Sequence, residues 1–297
     1  MTYQEFKDYI YSEVAKRYTS RATVHLSTFT KNNGVLLDGL VICSDKSHVS
    51  PNIYLNDFYD LIISGESKEA VLEKIIASYE KAKNIKDFDP DVLNDFSCIK
   101  DKIIFRLINQ KSNAVLLEDV PFLPFLDLAV VFSILIDLTN ENCGTILIHN
   151  DLLELWDVSV EELFEIAKTN TYEALRPDCT PINEYIPGMV LDEDSNLLKD
   201  LLPTVDMYVL SNSKRFHGAG VICYPAFIKE IADRLGKDLF IIPSSIHEVL
   251  VLPMSDGMQL SEISELVRQV NATEVAPEEI LSNHAYYFLR TKNKIQY

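Results

Sequence analysis

Residues 23–43 read TVHLSTFTKNNGVLLDGLVIC. Thr23–Thr30 is rich in β-branched and aromatic residues, and Val35–Cys43 returns as a second apolar run. Between them Lys31-Asn32-Asn33-Gly34 supplies turn chemistry that tolerates positive φ, which predicts an antiparallel hairpin. Upstream, Phe6, Ile10 and Val14, with Tyr9 beside them, share the face of a helix predicted from about Tyr3 to Lys16. Downstream of Ser50-Pro51, helical spacing runs from Ile53 to Ile63 and stops at Gly65. Ser67, with Ala70, Val71, Ile75 and Ile76, then starts a longer helix to about Lys83. The acid-rich run Lys86–Asp95 reads as a polar connection or a short helix start. It sets a soft boundary between residues 1–95, with helix, hairpin and helical segment, and an α/β-rich part at 96–297.

Short apolar runs at Ile103–Leu107, Ala129–Ile136 and Thr145–His149 have strand length, and Asn140–Gly144 joins the last two as a hairpin. Ser159 with Glu162 three residues on has capping-box spacing, and Leu163, Ile166 and Ala167 form the stripe of the helix that follows. Residues 176–200 lack periodicity, carry three prolines and a cluster of acids, and read as a loop or flap. Beyond them we expect a strand at 206–212, a helix at Gly218–Leu235 ended by Gly236, and strands at Leu239–Ile242 and Glu248–Leu252. Helices at Gln259–Asn271 and Pro277–Asn283 close the chain. Hairpins interleaved with helices predict an α+β fold, with mixed, partly antiparallel sheets and flanking helices in one large or two closely packed domains.

Composition narrows the function classes. The chain has 297 residues, 47% of them hydrophobic, enough for a large buried core. Its formal net charge of −18 argues against binding bulk nucleic acid through phosphate contacts. Nine glycines, roughly 3% against a usual 7%, disfavour folds that cradle phosphates on glycine-rich loops. The most apolar stretch, Val115–Leu138, is broken by Glu118, Asp119, two prolines and Asp127, so no membrane span is expected. The opening residues alternate polar and apolar at helical spacing rather than forming a secretion signal. Five scattered cysteines without a CxxC pair read as reduced thiols in a cytoplasm.

Nine segments together carry a resemblance: KNNGVLLDGL (31–40), SPNIYLNDFYDLIISG (50–65), FRLIN (105–109), DLAVVF (127–132), AKTNT (167–171), YVLSN (208–212), GAGVICYP (218–225), IPSSIHEVLVLP (242–253) and VNATEVAPEEILSNHAYYF (270–288). In combination they resemble a protein family from gut Firmicutes defined only as domain of unknown function 5688. The likeness spans nearly the whole chain except the 176–200 loop. It implies an intracellular bacterial protein and brings no cofactor, catalytic residue or mechanism with it.

The most chemically loaded stretch is Pro243-Ser244-Ser245-Ile246-His247-Glu248, placed between two strand-like runs. A serine, an imidazole and a carboxylate within five residues offer a nucleophile, a proton carrier and an orienting group. The competing reading is that these side chains satisfy backbone groups in a tight connection. His217-Gly218-Ala219-Gly220 presents glycines at a helix start, after Lys214 and Arg215, and suits a small anionic ligand; against this stands close packing of that helix start on a sheet. If strands 206–212 and 239–242 are parallel neighbours, their ends bring Ser244, Ser245, His247 and Glu248 to Asn212, His217, Gly218, Gly220 and Tyr224.

The six histidines lack the spacing of a zinc site, so no metal and no cofactor is expected. A set of His217, Cys223, His247 and Asp127 would need tertiary convergence. Asp87-Asp89-Asp91 and Asp192-Glu193-Asp194 lack the pattern of a calcium loop and read as solvated. The sequence thus favours a non-enzymatic binding or interaction protein. The first alternative is a hydrolase or transferase using Ser245, His247 and Glu248, with Asn212 and Tyr224 completing the pocket. The second is an acidic inhibitor or nucleic-acid mimic of a basic protein partner.

Overall fold

The computed structural model describes residues 1–19, 22–44, 50–82, 89–138, 143–185 and 206–297. The expected turn at 140–144, the acid clusters at 87 and 192–194 and most of the 176–200 loop therefore fall wholly or partly outside the described residues. The fold is α+β, and every described strand pair is antiparallel. The chain divides into two compact units, Met1–Asp95 and Phe96–Tyr297.

In the first unit α1 (Tyr3–Tyr18) is opened by a capping box. Thr2 Oγ1 accepts the Glu5 N–H, and the Glu5 carboxylate accepts the Thr2 N–H. β1 (Ala22–Thr30) and β2 (Leu36–Ser44) form the hairpin, with Thr30 opposite Leu36. Asn33 and Gly34 take φ of 60° and 72°, the left-handed region that their short side chains permit. β3 (Asn52–Tyr54) pairs with β2 and precedes α2 (Asn56–Ile63) and α3 (Lys68–Ala82). The expected helix from Ile53 thus begins only at Asn56. Ile53 is opposite Leu40 in the ladder, and the Leu55 N–H bonds the Asp38 carbonyl, so this backbone belongs to the sheet. Phe6, Ile10, Val14, Leu40, Ile42 and Ile75 meet in one core.

Asp38 accepts hydrogen bonds from Lys7 Nζ and Thr28 Oγ1, both at 2.7 Å, and these hold its carboxyl below the ordinary 3.8. A carboxylate depressed in the fold stabilises above its unfolded pKa and loses that contribution as pH falls through the folded value. We expect Lys7→Met to lower stability by about 1 kcal/mol at pH 7 and by less at pH 3, which lies below the ordinary 3.8 of the carboxyl. Thermal melts at the two pH values check this.

The second unit begins with α4 (Phe96–Ile99) and holds two sheets. In the first, β6 (Leu128–Leu138) has β4 (Ile103–Asn109) on one side; β5 (Phe122–Phe125) and β7 (Cys143–Leu147) follow one another along the other. α5 (Asn150–Trp156) and α6 (Val160–Ala174) come next, with Ser159 accepting the Glu162 N–H at the start of α6. α6 closes against β4 through polar groups: Thr171 Oγ1 accepts the Phe105 N–H at 3.1 Å, and Asn170 Nδ2 donates to the Ile103 carbonyl at 3.0 Å.

The second sheet runs β13–β12–β10–β11–β9–β8. Its strands are β8 (Pro177–Pro181), β9 (Tyr208–Asn212), β10 (Leu239–Pro243), β11 (Val249–Pro253), β12 (Tyr286–Leu289) and β13 (Lys294–Gln296). α7 (Ile182–Tyr185), α8 (Pro225–Leu235) and α9 (Leu260–Thr273) complete the unit. Three expectations change here. Residues 177–181 form an edge strand, where prolines at both ends leave few ladder bonds to lose. The expected helix at 277–283 is irregular chain that leads into the β12–β13 hairpin. Strands 208–212 and 239–243 point the same way but are not neighbours, because β11 lies between them.

Both faces of the β10–β11 pair are covered. Phe240, Ile242, Leu250 and Leu252 share the face toward α9, while Ile241, Val249 and Val251 are buried on the other. The unbroken apolar runs FII and VLVL follow from burial on two sides.

Candidate functional site

The five-residue connection Ser244–Glu248 joins β10 to β11 and is stitched to three neighbours. Internally, the Ser245 N–H bonds the Glu248 carbonyl at 3.1 Å. The Ile246 N–H donates to the Glu279 carbonyl, and the Ile246 carbonyl accepts from Ala219 N–H. Ser211 Oγ, at the end of β9, donates to the His247 carbonyl at 2.7 Å. The turn is thus fixed by the strand end, by the 3-10 turn Gly218–Cys223 and by the segment that follows α9.

Gly218 makes this convergence sterically feasible. A Cβ there would lie 2.2 Å from Ser211 Oγ, 2.5 Å from the His247 carbonyl oxygen and 2.8 Å from the Asn212 nitrogen. A Cβ on Gly220 would lie 3.1 Å from the Phe105 ring. The amides offered to an anion in the sequence reading are engaged: Ala219 N–H bonds Ile246, and Gly220 N–H bonds the His217 carbonyl at 3.4 Å. The helix itself starts at Pro225 rather than Gly218.

Asn212 shapes the loop below. Its Oδ1 accepts the N–H groups of Lys214 and Phe216, and its Nδ2 donates to the Phe216 carbonyl at 2.7 Å. Arg215 and His217 both take left-handed φ, 52° and 49°, a strained conformation for side-chain-bearing residues that the surrounding bonds hold in place. The His217 and His247 rings stack with centroids 5.5 Å apart and planes 10° apart. Their partners assign the tautomers. Arg106 Nη1, 3.1 Å from His217 Nε2, is only a donor, so that nitrogen accepts and Nδ1 carries the proton. His247 Nδ1 accepts the His217 backbone N–H at 3.2 Å, which leaves its proton on Nε2, 3.7 Å from Glu279 Oε1. Burial lowers the pKa of the Arg106 guanidinium from its ordinary value.

The serine, imidazole and carboxylate are therefore together without forming a relay. Ser245 Oγ donates to Glu248 Oε1 at 3.0 Å and accepts the His247 backbone N–H at 3.0 Å. Its proton points at a carboxylate rather than an imidazole, and an i to i+2 bond of this kind braces a turn. Tyr224 faces away from the turn. Its hydroxyl donates to the Lys168 carbonyl of α6 at 2.9 Å, and burial, aided by Cys223 and Tyr172, pushes its pKa upward. Cys223 is buried, and burial pushes its thiol up to about 12. Asp127 is also elsewhere: its two carboxylate oxygens accept Ser282 Oγ and the Tyr286 hydroxyl, each at 2.6 Å. The set His217, Cys223, His247 and Asp127 does not converge, and among the described residues no three His, Cys, Asp or Glu side chains cluster as metal donors.

Two cavities adjoin the turn. An open cleft of about 500 Å³ is lined by Arg215, Ser244, Ser245, His247, Glu248, Glu274 and Glu279, among others. An apolar slot of about 150 Å³ runs between α9 and the sheet, walled by Met207, Ile242, Leu250, Leu252, Met258 and Val267 with their neighbours. Ser244 and Val270 line both. Sequence reading missed Glu274, Glu279 and the whole slot. The residues of the slot come from β10, β11 and α9, each of which reads alone as ordinary core, with Met207 just before β9 and Met258 just before α9.

These features define an α+β protein with a polar cleft over an apolar slot in its larger unit. The chain belongs to the family of unknown function DUF5688, whose model matches residues 3–290. No curated protein and no solved structure matches it. Among the described residues no helix is long and apolar enough to cross a membrane.

Proposed function

We propose that the chain is a non-enzymatic binding protein whose larger unit holds a small ligand in the slot and the cleft above it. The observation that carries this reading is the junction of the two cavities at Ser244 and Val270. An apolar recess with a few convergent polar groups at its mouth is the usual form of a small-molecule site. The bonding of Ser245 supports binding over acyl transfer, since its proton is directed to Glu248 and its lone pairs to a backbone amide. One observation favours a hydrolase or transferase instead: the His247 side chain is partly exposed at the rim of the cleft, with Nε2 3.7 Å from Glu279 Oε1.

A thermal-shift screen of the whole chain against small molecules of varied head group and tail tests the proposal. A ligand present at a hundred times its Kd adds about 2.7 kcal/mol, which raises the melting temperature by roughly 5–10 °C for a unit of this size. The ligand is recovered unchanged under the binding reading. Consumption of the ligand that ceases in His247→Ala would establish the enzyme instead.

A further inference from the structure

The geometry points to a small primary amine with a short apolar tail as the class of ligand, an inference that rests on the binding reading above. The slot sets the tail. Its volume of about 150 Å³ matches a cavity that stays dry and takes up a benzene ring, so it accommodates about six carbon atoms. Its lining is almost wholly apolar: Leu252, Ile263 and Val267 are buried there, and Met207 and Met258 add thioether chains that adapt to irregular shapes.

The cleft sets the head group. Among the described residues three carboxylates, Glu248, Glu274 and Glu279, and one guanidinium, Arg215, line it. The imidazole of His247 adds no positive charge while its Nδ1 accepts the His217 N–H. The described residues of the rim therefore carry a net negative charge of two, on a chain whose formal charge is −18. A rim of this sign attracts an ammonium and repels a carboxylate or phosphate. An ammonium brings three donors and no acceptor, which suits a mouth bordered by carboxylates. A tail in the slot leaves its polar end at Ser244 and Val270, where slot and cleft meet.

Calorimetric titration of the full chain with hexylamine, hexanol and hexanoate at neutral pH separates the contributions of tail and head. Two or three partly exposed charge contacts should make the amine about fivefold tighter than the alcohol, with hexanoate the weakest. The advantage of the amine should fade at high salt. Joint replacement of Glu274→Gln and Glu279→Gln should bring the amine down to the level of the alcohol and leave the alcohol unchanged. Val267→Phe, which fills the slot, should remove all three. Equal binding of amine and alcohol, or tighter binding of hexanoate, overturns the head-group inference and leaves the binding reading standing. Failure of every compound in this series and in the thermal-shift screen overturns both.

Discussion

Replacing Asp127 with alanine lowers the stability of the larger unit by about 3 kcal/mol or more. The carboxylate sits in the turn between β5 and β6 and receives two hydroxyl donors, Ser282 Oγ from the chain that leads into β12 and Tyr286 OH from its first residue. Both donor residues are buried, at 1% and 0% exposure, so removing the acceptor leaves the Tyr286 hydroxyl without its partner and Ser282 Oγ with only the longer, 3.4 Å contact to the His284 carbonyl. Each loss costs about 1–3 kcal/mol. The same junction holds a third bond, from Asn109 Nδ2 to the Leu281 carbonyl at 3.1 Å, which ties the end of β4 to this segment. Tyr286→Phe removes a donor without orphaning the carboxylate, because Ser282 still serves it, and should cost about half as much. Urea unfolding followed by the fluorescence of Trp156, the sole tryptophan and a buried residue of this unit, measures both variants.

Gly218→Ala is the second large effect. The added methyl would meet the His247 carbonyl and the Asn212 amide, both backbone, well inside contact distance. Neither can move without breaking the Ser211–His247 bond or the end of β9. Overpacking against backbone costs about 3 kcal/mol, and displacement of the 244–248 turn should abolish ligand uptake in the cleft. Gly257→Ala provides the control: nothing lies within 4 Å of the added atom, so only the backbone strain at φ +90° opposes it, about 1 kcal/mol. A Gly218 variant as stable as wild type would show that the turn is not held as described.

How far the structure was legible depends on whether the deciding interactions are local. The hairpin at residues 22–44 was readable because Asn33-Gly34 states its own turn chemistry between two apolar runs. α1, α6 and α9 were readable from apolar stripes, and Ser159 from its spacing to Glu162. β3 and β5 were not, because the three residues of β3 run directly into the apolar spacing of α2, and Pro124 interrupts the run of β5. Both segments become strands only when β2 and β6 supply a ladder. Residues 277–283 resemble a helix start with proline in its first turn, yet Glu279 instead gives its carbonyl to Ile246. At the candidate site, the polar residues of 244–248 stood out as a sequence. Their bonds did not, since Ser245 could be matched to an imidazole or to Glu248 only once the turn was closed. Arg106, Glu274 and Glu279 reach the site from distant elements, and the slot exists only where α9 crosses the sheet.

Entry of a ligand tail into the slot between α9 and the sheet is tested directly by methionine methyl NMR. Of the five methionines, Met207 and Met258 line the slot, whereas Met1 lies at the exposed start of the other unit. With the methyl groups labelled by ¹³C, saturating hexylamine or hexanol should shift the Met207 and Met258 signals and leave that of Met1 in place. Met207 and Met258 signals unmoved by either compound would contradict it.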